Sequence, residues 1–166
     1  MWHPSREGTL AYSTEYGRVG IYDTINNKST QFKTYHQSKG AISINWVSSI
    51  QIGEQSLQDA IISCGSDGTL YAFNSKRPNV KPINLQNTIQ QANPTWCSTL
   101  EAKVKTSRCY ASVDPHSRFL ALGSSDGVVE VYRLDTFKIA YVAASQQTMV
   151  SVMAWRGKLL ERHCCY

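Results

Sequence analysis

The chain has 166 residues, of which 42% are hydrophobic and only 17% charged, a composition that can bury a core and argues against disorder. Apolar runs stop at about five residues, as in Ala140–Ala144, far short of the ~20 of a membrane helix. No basic stretch leads into an apolar N-terminal region, so a soluble, intracellular protein without membrane contact is expected. The 17 Lys and Arg against 12 Asp and Glu leave a net charge of +5, which favours an anionic partner such as nucleic acid and which a mildly basic scaffold would carry equally well.

In chain order, Met1-Trp2-His3-Pro4 reads as the tail of a strand. Thr9–Asp23 follows as a short strand, a turn ending at Gly17 and an alternating strand closed by Tyr22. Gln31–Tyr35 is expected as an outer strand, and Ile42–Trp46 as a strand ending in Trp. Gly53–Asp59 reads as a small insertion. Ala60–Asn74 repeats the hairpin around Asp67-Gly68 and ends near Phe73. The polar stretch Lys76–Lys105 contains Pro78, Pro82 and Pro94; Val80–Leu85 suits an outer strand, Leu85–Gln91 a short helix, and the remainder a surface insertion. Arg108–Val113 occupies the Trp-strand slot without a Trp. Phe119–Arg133 is the hairpin a third time, around Asp126-Gly127 with Tyr132 at its end, followed by an outer strand at Lys138–Val142 and a last Trp strand at Val150–Trp155.

Asp-Gly between apolar runs supplies the positive φ that a tight hairpin demands, and the period of two in Val128–Tyr132 excludes a helix. The distance from turn glycine to the next Trp is the same to within one residue for Gly17 to Trp46 and Gly127 to Trp155, so the units are in phase. Antiparallel four-stranded units of about 40 to 60 residues with this signature are blades of a β-propeller. A β-sandwich is the alternative, although it has no need of one hairpin three times in phase. The fold class expected is therefore all-β, an incomplete WD-repeat propeller of about three four-stranded blades plus one strand. The blades fall at approximately 1–40, 41–100 and 106–145, the final strand at 149–155, and 156–166 is a tail outside the pattern. Since a closed ring needs at least about four blades, the chain is expected to be a truncated arc.

Trp2-His-Pro-Ser-Arg-Glu-Gly-Thr-Leu-Ala-Tyr12, Gly17-Arg-Val-Gly-Ile-Tyr-Asp-Thr24, Asn27-Lys28 and Thr34-Tyr-His36 stand at a spacing that resembles the Gem-associated protein 5 family. The likeness continues through Ser63-Cys-Gly65 and Ala121–Gly127 into Glu130-Val131, and covers roughly residues 2–155, within the second of that family's two WD-repeat propellers. The resemblance implies an RNA-binding subunit of the SMN (survival of motor neuron) complex, found in the cytoplasm and in nuclear bodies. It would recognise the Sm site and cap of small nuclear RNA precursors for assembly of spliceosomal ribonucleoproteins. The partners implied are those RNAs, SMN and the other Gemins, and Sm proteins.

RNA of this kind is held by aromatic stacking and by cations at phosphates. Loops entering inner strands would supply them, and Lys39, Lys105 and Arg108 are the phosphate candidates; each reads equally as a solvated surface cation. Ile42 stands where the family can place an aromatic RNA contact, and it has no π face to offer. Trp46, Trp155, Tyr22 and Tyr132 recur at blade-equivalent positions and read as packing. Asp67, Gly68, Asp126 and Gly127 are structural turn residues. Asp67, Asp126 and His36 resemble parts of the hydrogen-bonded Asp/His/Ser-Thr/Trp set of WD repeats, with Tyr or Phe replacing the Trp.

No enzyme is expected. Gly123-Ser-Ser-Asp-Gly127 matches G-x-S-x-G, yet a strand follows where a nucleophile elbow needs a helix. Cys64, Cys97, Cys109, Cys164 and Cys165 are irregularly spaced and read as free thiols. The adjacent pair in His163-Cys164-Cys165 cannot chelate as C-x-x-C does. No catalytic residue, metal or cofactor is assigned.

Overall fold

The computed structural model describes residues 1–32, 36, 40–95, 108–144, 150 and 153–155. Eleven strands and one helix follow in order: β1 (Thr9–Ser13), β2 (Val19–Asp23), β3 (Lys28–Gln31), β4 (Ala41–Ile52), β5 (Gln55–Gly65), β6 (Leu70–Asn74), β7 (Ile83–Asn84), α1 (Leu85–Ala92), β8 (Arg108–Val113), β9 (Phe119–Ser124), β10 (Val128–Arg133) and β11 (Ile139–Ala144). They form three antiparallel sheets in sequence order, β1-β2-β3, β4-β5-β6-β7 and β8-β9-β10-β11. The first sheet gains its inner position from Met1–His3, where Trp2 bridges Leu10 and the His3 amide donates to Thr9 O at 2.8 Å. The chain is thus all-β, an incomplete propeller of three blades that does not close, as its repeats imply.

The repeated turns explain the repeated glycines. Gly17, Gly68 and Gly127 have φ of 74°, 75° and 85°, whereas the aspartates before Gly68 and Gly127 stay at negative φ. Each turn therefore places glycine alone in the left-handed region. The aspartate serves by its side chain instead, as where Asp67 Oδ1 accepts the Thr69 amide at 3.0 Å.

Several boundaries differ from the sequence reading. Residues 53–59 are not a loop insertion: β4 and β5 pair out to Ile52↔Gln55, interrupted at Ser48 and Asp59, and only Gly53 and Glu54 turn. Buried Ile50, Ile52 and Leu57 hold this long hairpin down. The first outer strand ends at Gln31, earlier than Gln31–Tyr35 suggests, and 33–35 lie outside the described residues. The second is only Ile83–Asn84 because the chain enters a helix at once. Asn84 caps that helix by accepting the Gln86 amide at 2.9 Å. Of the expected final strand, Val150 and Met153–Trp155 are described and belong to no strand; 145–149, 151–152 and the tail 156–166 lie outside the described residues. Trp155 nonetheless stacks on Phe119, centroids 6.4 Å apart.

The core lies between blades, and the middle blade is covered on both faces. Along β5, Ile61 joins Ala11, Val19, Phe32, Trp46 and Phe73 toward the first blade. Its neighbours Ala60, Ile62 and Cys64 face the other way, toward Ala111, Leu120, Leu122 and Tyr132. Successive residues of one strand thus fill two cores, which is why Ala60-Ile-Ile is an unbroken apolar run rather than an alternating one. Full burial of each isoleucine is worth about 1.5–3 kcal/mol.

Polar side chains of β4 bind the next blade directly. Asn45 Nδ2 donates to Ala111 O at 3.0 Å and Asn45 Oδ1 accepts the Val113 amide at 3.2 Å. Ser43 Oγ accepts the Ala111 amide at 2.9 Å. These bonds satisfy the open edge of β8, the inner strand of the third blade, in a buried setting. At the outer rim Leu85 and Ile89 of α1 are fully buried, and Asn93 clamps β11 through bonds to Phe137 O (2.7 Å) and the Ile139 amide (2.9 Å).

Candidate nucleic-acid interface

Strand register brings the candidate loops to one end of the sheets. Ala41 at the start of β4 pairs with Gly65, and Arg108 at the start of β8 pairs with Ser124. The turns carrying Asp67 and Asp126 lie at this same end, where the chain enters both inner strands.

His36 organises it. The imidazole is fully buried, with Nε2 at 2.7 Å from Ser63 Oγ and Nδ1 at 2.8 Å from Thr69 Oγ1. Thr69 Oγ1 in turn donates to Asp67 Oδ1 at 2.5 Å, so its oxygen must accept from the ring. The proton therefore sits on Nδ1, and Nε2 accepts from Ser63. Tyr71 meets the ring edge-on at 5.3 Å, and Phe73, which replaces the Trp of WD repeats, packs against Tyr71 with centroids 6.4 Å apart. Gly65 is required here, because a Cβ on it would collide with His36 Nδ1.

Burial drives the His36 pKa below its ordinary value although Asp67 pulls the other way. Asp67 is subject to desolvation that would raise it, but the Thr69 hydroxyl and amide bonds, with His36, outweigh that and hold it low. Neutral histidine and ionised aspartate joined through threonine make a rigid buttress. It can neither attack nor protonate a ligand, because the ring has no exposed surface.

The third blade has a smaller counterpart. Ser124 Oγ lies against the Asp126 carboxylate and accepts the Val128 amide at 3.0 Å. The loop before β8 contains no histidine, so the set stops at Ser124. Buried Glu130 is held by the Tyr132 hydroxyl at 2.8 Å.

Trp46 is 5% exposed, donates Nε1–H to Met1 O at 3.1 Å and packs edge-on against His3 at 4.5 Å. Tyr132 is fully buried, and the half-buried Tyr22 donates its hydroxyl to Asn27. Of the phosphate candidates, Lys39 and Lys105 lie outside the described residues; Arg108 is described as backbone of β8, and the side chains of Arg108 and Ile42 are not described. The described structure therefore does not bring the three cations together.

At the opposite end of the sheets lies a cluster the sequence reading did not single out. His3 Nδ1 accepts the amides of Ser5 and Arg6 at 3.1 and 2.9 Å, while its Nε2 lies 3.0 Å from Arg6 Nε and 3.7 Å from Asp59. Arg6 and Lys76 reach the same carboxylate at 3.7 and 3.8 Å. Burial, then the charge of Arg6, lowers the His3 pKa against the pull of Asp59. The Trp2-His-Pro corner was the visible signal; Asp59 was hidden in the presumed insertion. Among the described residues no three His, Cys, Asp or Glu group as metal ligands, and His163-Cys164-Cys165 lie outside them.

No protein-family model matches the chain. It is similar to Gem-associated protein 5 of Homo sapiens, 25% identical over 159 residues that cover 93% of this chain and 10% of the relative. The Mus musculus protein of that name is 24% identical over the same share. The chain thus spans about a tenth of these curated relatives, and the resemblance carried by its Trp-His-Pro and Tyr-Asp-Thr blocks holds across nearly its whole length. In fold it resembles a chain of the mitotic checkpoint complex (TM-score 0.62, 15% identity, 89% of this chain and 38% of that one). It also resembles the computationally designed Ika8 protein (TM-score 0.57, 10% identity, 92% and 38%).

Proposed function

We propose that the chain is an arc of an RNA-recognising WD-repeat propeller, which selects small nuclear RNA precursors through the Sm site and cap for the SMN complex in the cytoplasm and nuclear bodies. The observation that carries this is the similarity to Gem-associated protein 5 over 93% of the chain, supported by a net charge of +5. The mechanism is binding and delivery, with no bond made or broken. The buried His36–Asp67 buttress fixes the blade end, and the loops containing Lys39 and Lys105, with Arg108, supply phosphate contacts. The test is retention of radiolabelled Sm-site RNA by the immobilised 166-residue chain against a scrambled RNA. Preferential retention of the Sm-site RNA supports the proposal, and equal retention removes it.

A protein-interaction scaffold is the second reading, favoured by Ile42 at the position where an aromatic would stack on a base. Capture of SMN, other Gemins or Sm proteins by RNA-free chain, without RNA binding, would select it.

A further inference from the structure

On the middle blade, at the end of the sheets away from the Asp67 turn, a groove of about 360 Å3 runs between the β4–β5 hairpin and the loop joining β6 to β7. Its floor is apolar, formed in part by Leu57 and Ala72. Its rim carries the polar side chains of Gln55, Ser56 and Asn74, and beside them Arg77 and Lys81. Among the described residues no carboxylate lines it. Neither Arg77 nor Lys81 makes an ion pair among the described residues, whereas neighbouring Lys76 is engaged by Asp59. Two cations line one polar cleft, and no group among the described residues neutralises them.

The loop that presents them is held in shape before any ligand arrives. The Arg77 amide donates to Asn74 O at 3.1 Å and the Val80 amide to Arg77 O at 3.0 Å, two successive turns, the second containing Pro78 and followed by Pro82. Asn74 Oδ1 already accepts the Lys76 amide at 3.0 Å, which leaves its Nδ2 hydrogens as what it offers the groove. A guanidinium fork, an ammonium and an amide donor around one cleft match the acceptor-only oxygens of a phosphate.

We propose that this groove is a phosphate subsite that takes a backbone phosphate of single-stranded RNA. RNA is favoured over a phosphorylated protein segment because the Gln55 amide and Ser56 hydroxyl both donate and accept, as the ribose hydroxyls beside an RNA phosphate do. No aromatic among the described residues lines the groove, so it holds backbone without reading base identity. The proposal rests on the RNA-binding reading but places its contact away from Lys39, Lys105 and Arg108.

The test is fluorescence-anisotropy titration of the 166-residue chain with a uridine dodecamer over a series of salt concentrations, for the wild type, Arg77→Gln, Lys81→Gln and the double variant. The double change should lower the magnitude of the slope of log K against log salt by ~0.7, the share of the one phosphate the groove holds, and each single change by less. Lys28→Gln, at an exposed cation on another blade, should leave it within error. Both cations are exposed, so thermal melts should coincide and exclude misfolding. Unchanged binding in the double variant overturns the groove while leaving the RNA reading intact. Should the wild type bind no RNA, an NMR titration with inorganic phosphate separates the two. Shifts at Asn74–Lys81 that vanish in the double variant keep the phosphate site and remove RNA as its source. Absence of such shifts overturns the site, and tighter binding of a phosphoserine peptide than of the dodecamer overturns the assignment to RNA.

Discussion

Replacing His36 by alanine tests the buttress on which the candidate interface rests. The imidazole is fully buried and bonded to Ser63 Oγ at 2.7 Å and Thr69 Oγ1 at 2.8 Å. Its removal strands the fully buried Ser63 hydroxyl, at about 1–3 kcal/mol. The edge contact with Tyr71 contributes about 0.5–1.5 kcal/mol more. The combined loss of about 2–4 kcal/mol corresponds, for a chain of this size, to a Tm drop on the order of 10 °C by differential scanning calorimetry. The same residue sets a pH dependence. Unfolded histidine takes its proton near 6.5, while burial keeps folded His36 neutral to lower pH. Between those two pH values the unfolded chain binds more protons, so stability is full above 6.5 and falls as pH drops through the window. His3 is shifted in the same direction and adds to the slope. His36→Ala should flatten the acid slope and His36→Ala with His3→Gln should flatten it further. A Tm change below ~1 °C, or an acid slope the same as the wild type's, would refute the reasoning.

Other consequences follow from the contacts between blades. Asn45→Ala should cost about 2–3 kcal/mol in urea denaturation, because it leaves the Val113 amide and Ala111 carbonyl buried without their partner. Ile62→Ala should cost about 2–5 kcal/mol, while Val80→Ala at an exposed site stays within about 0.5 kcal/mol by the same measurement. Gly65→Ala forces a methyl into His36 and the Asp67 carboxylate and should destabilise by about 1–3 kcal/mol, read as a lower Tm, with an effect reduced in part in the His36→Ala background, where the Asp67 contact remains.

Local chemistry made much of this fold legible. The Asp-Gly turns, the strand ending at Val113 and the helix from Leu85 all follow from short-range pattern. What Ser43 and Asn45 do was not legible within Ile42–Trp46, because those side chains complete the edge of a strand 66 to 68 residues away. Gly53–Asp59 reads as an insertion from its polar residues, yet pairing to β4 overrides that preference, with Asp59 accommodated at φ 51°. The His36–Thr69–Asp67 chain was half visible: His36 and Asp67 suggested the set, and Thr69 as the link required coordinates. Arg77 and Lys81 looked like two more cations in a polar loop until the hairpin built a wall opposite them.

The central claim, that these blades hold RNA, is tested most directly by ultraviolet cross-linking of the 166-residue chain to Sm-site RNA followed by mass spectrometry. The account predicts cross-linked peptides from the segments containing Lys39, Lys105 and Arg108, suppressed by excess Sm-site RNA but not by a scrambled sequence, and from Asn74–Lys81, suppressed by either RNA. Adducts scattered without regard to these segments, or adducts at the segments of Lys39, Lys105 and Arg108 suppressed equally by both competitors, would contradict it.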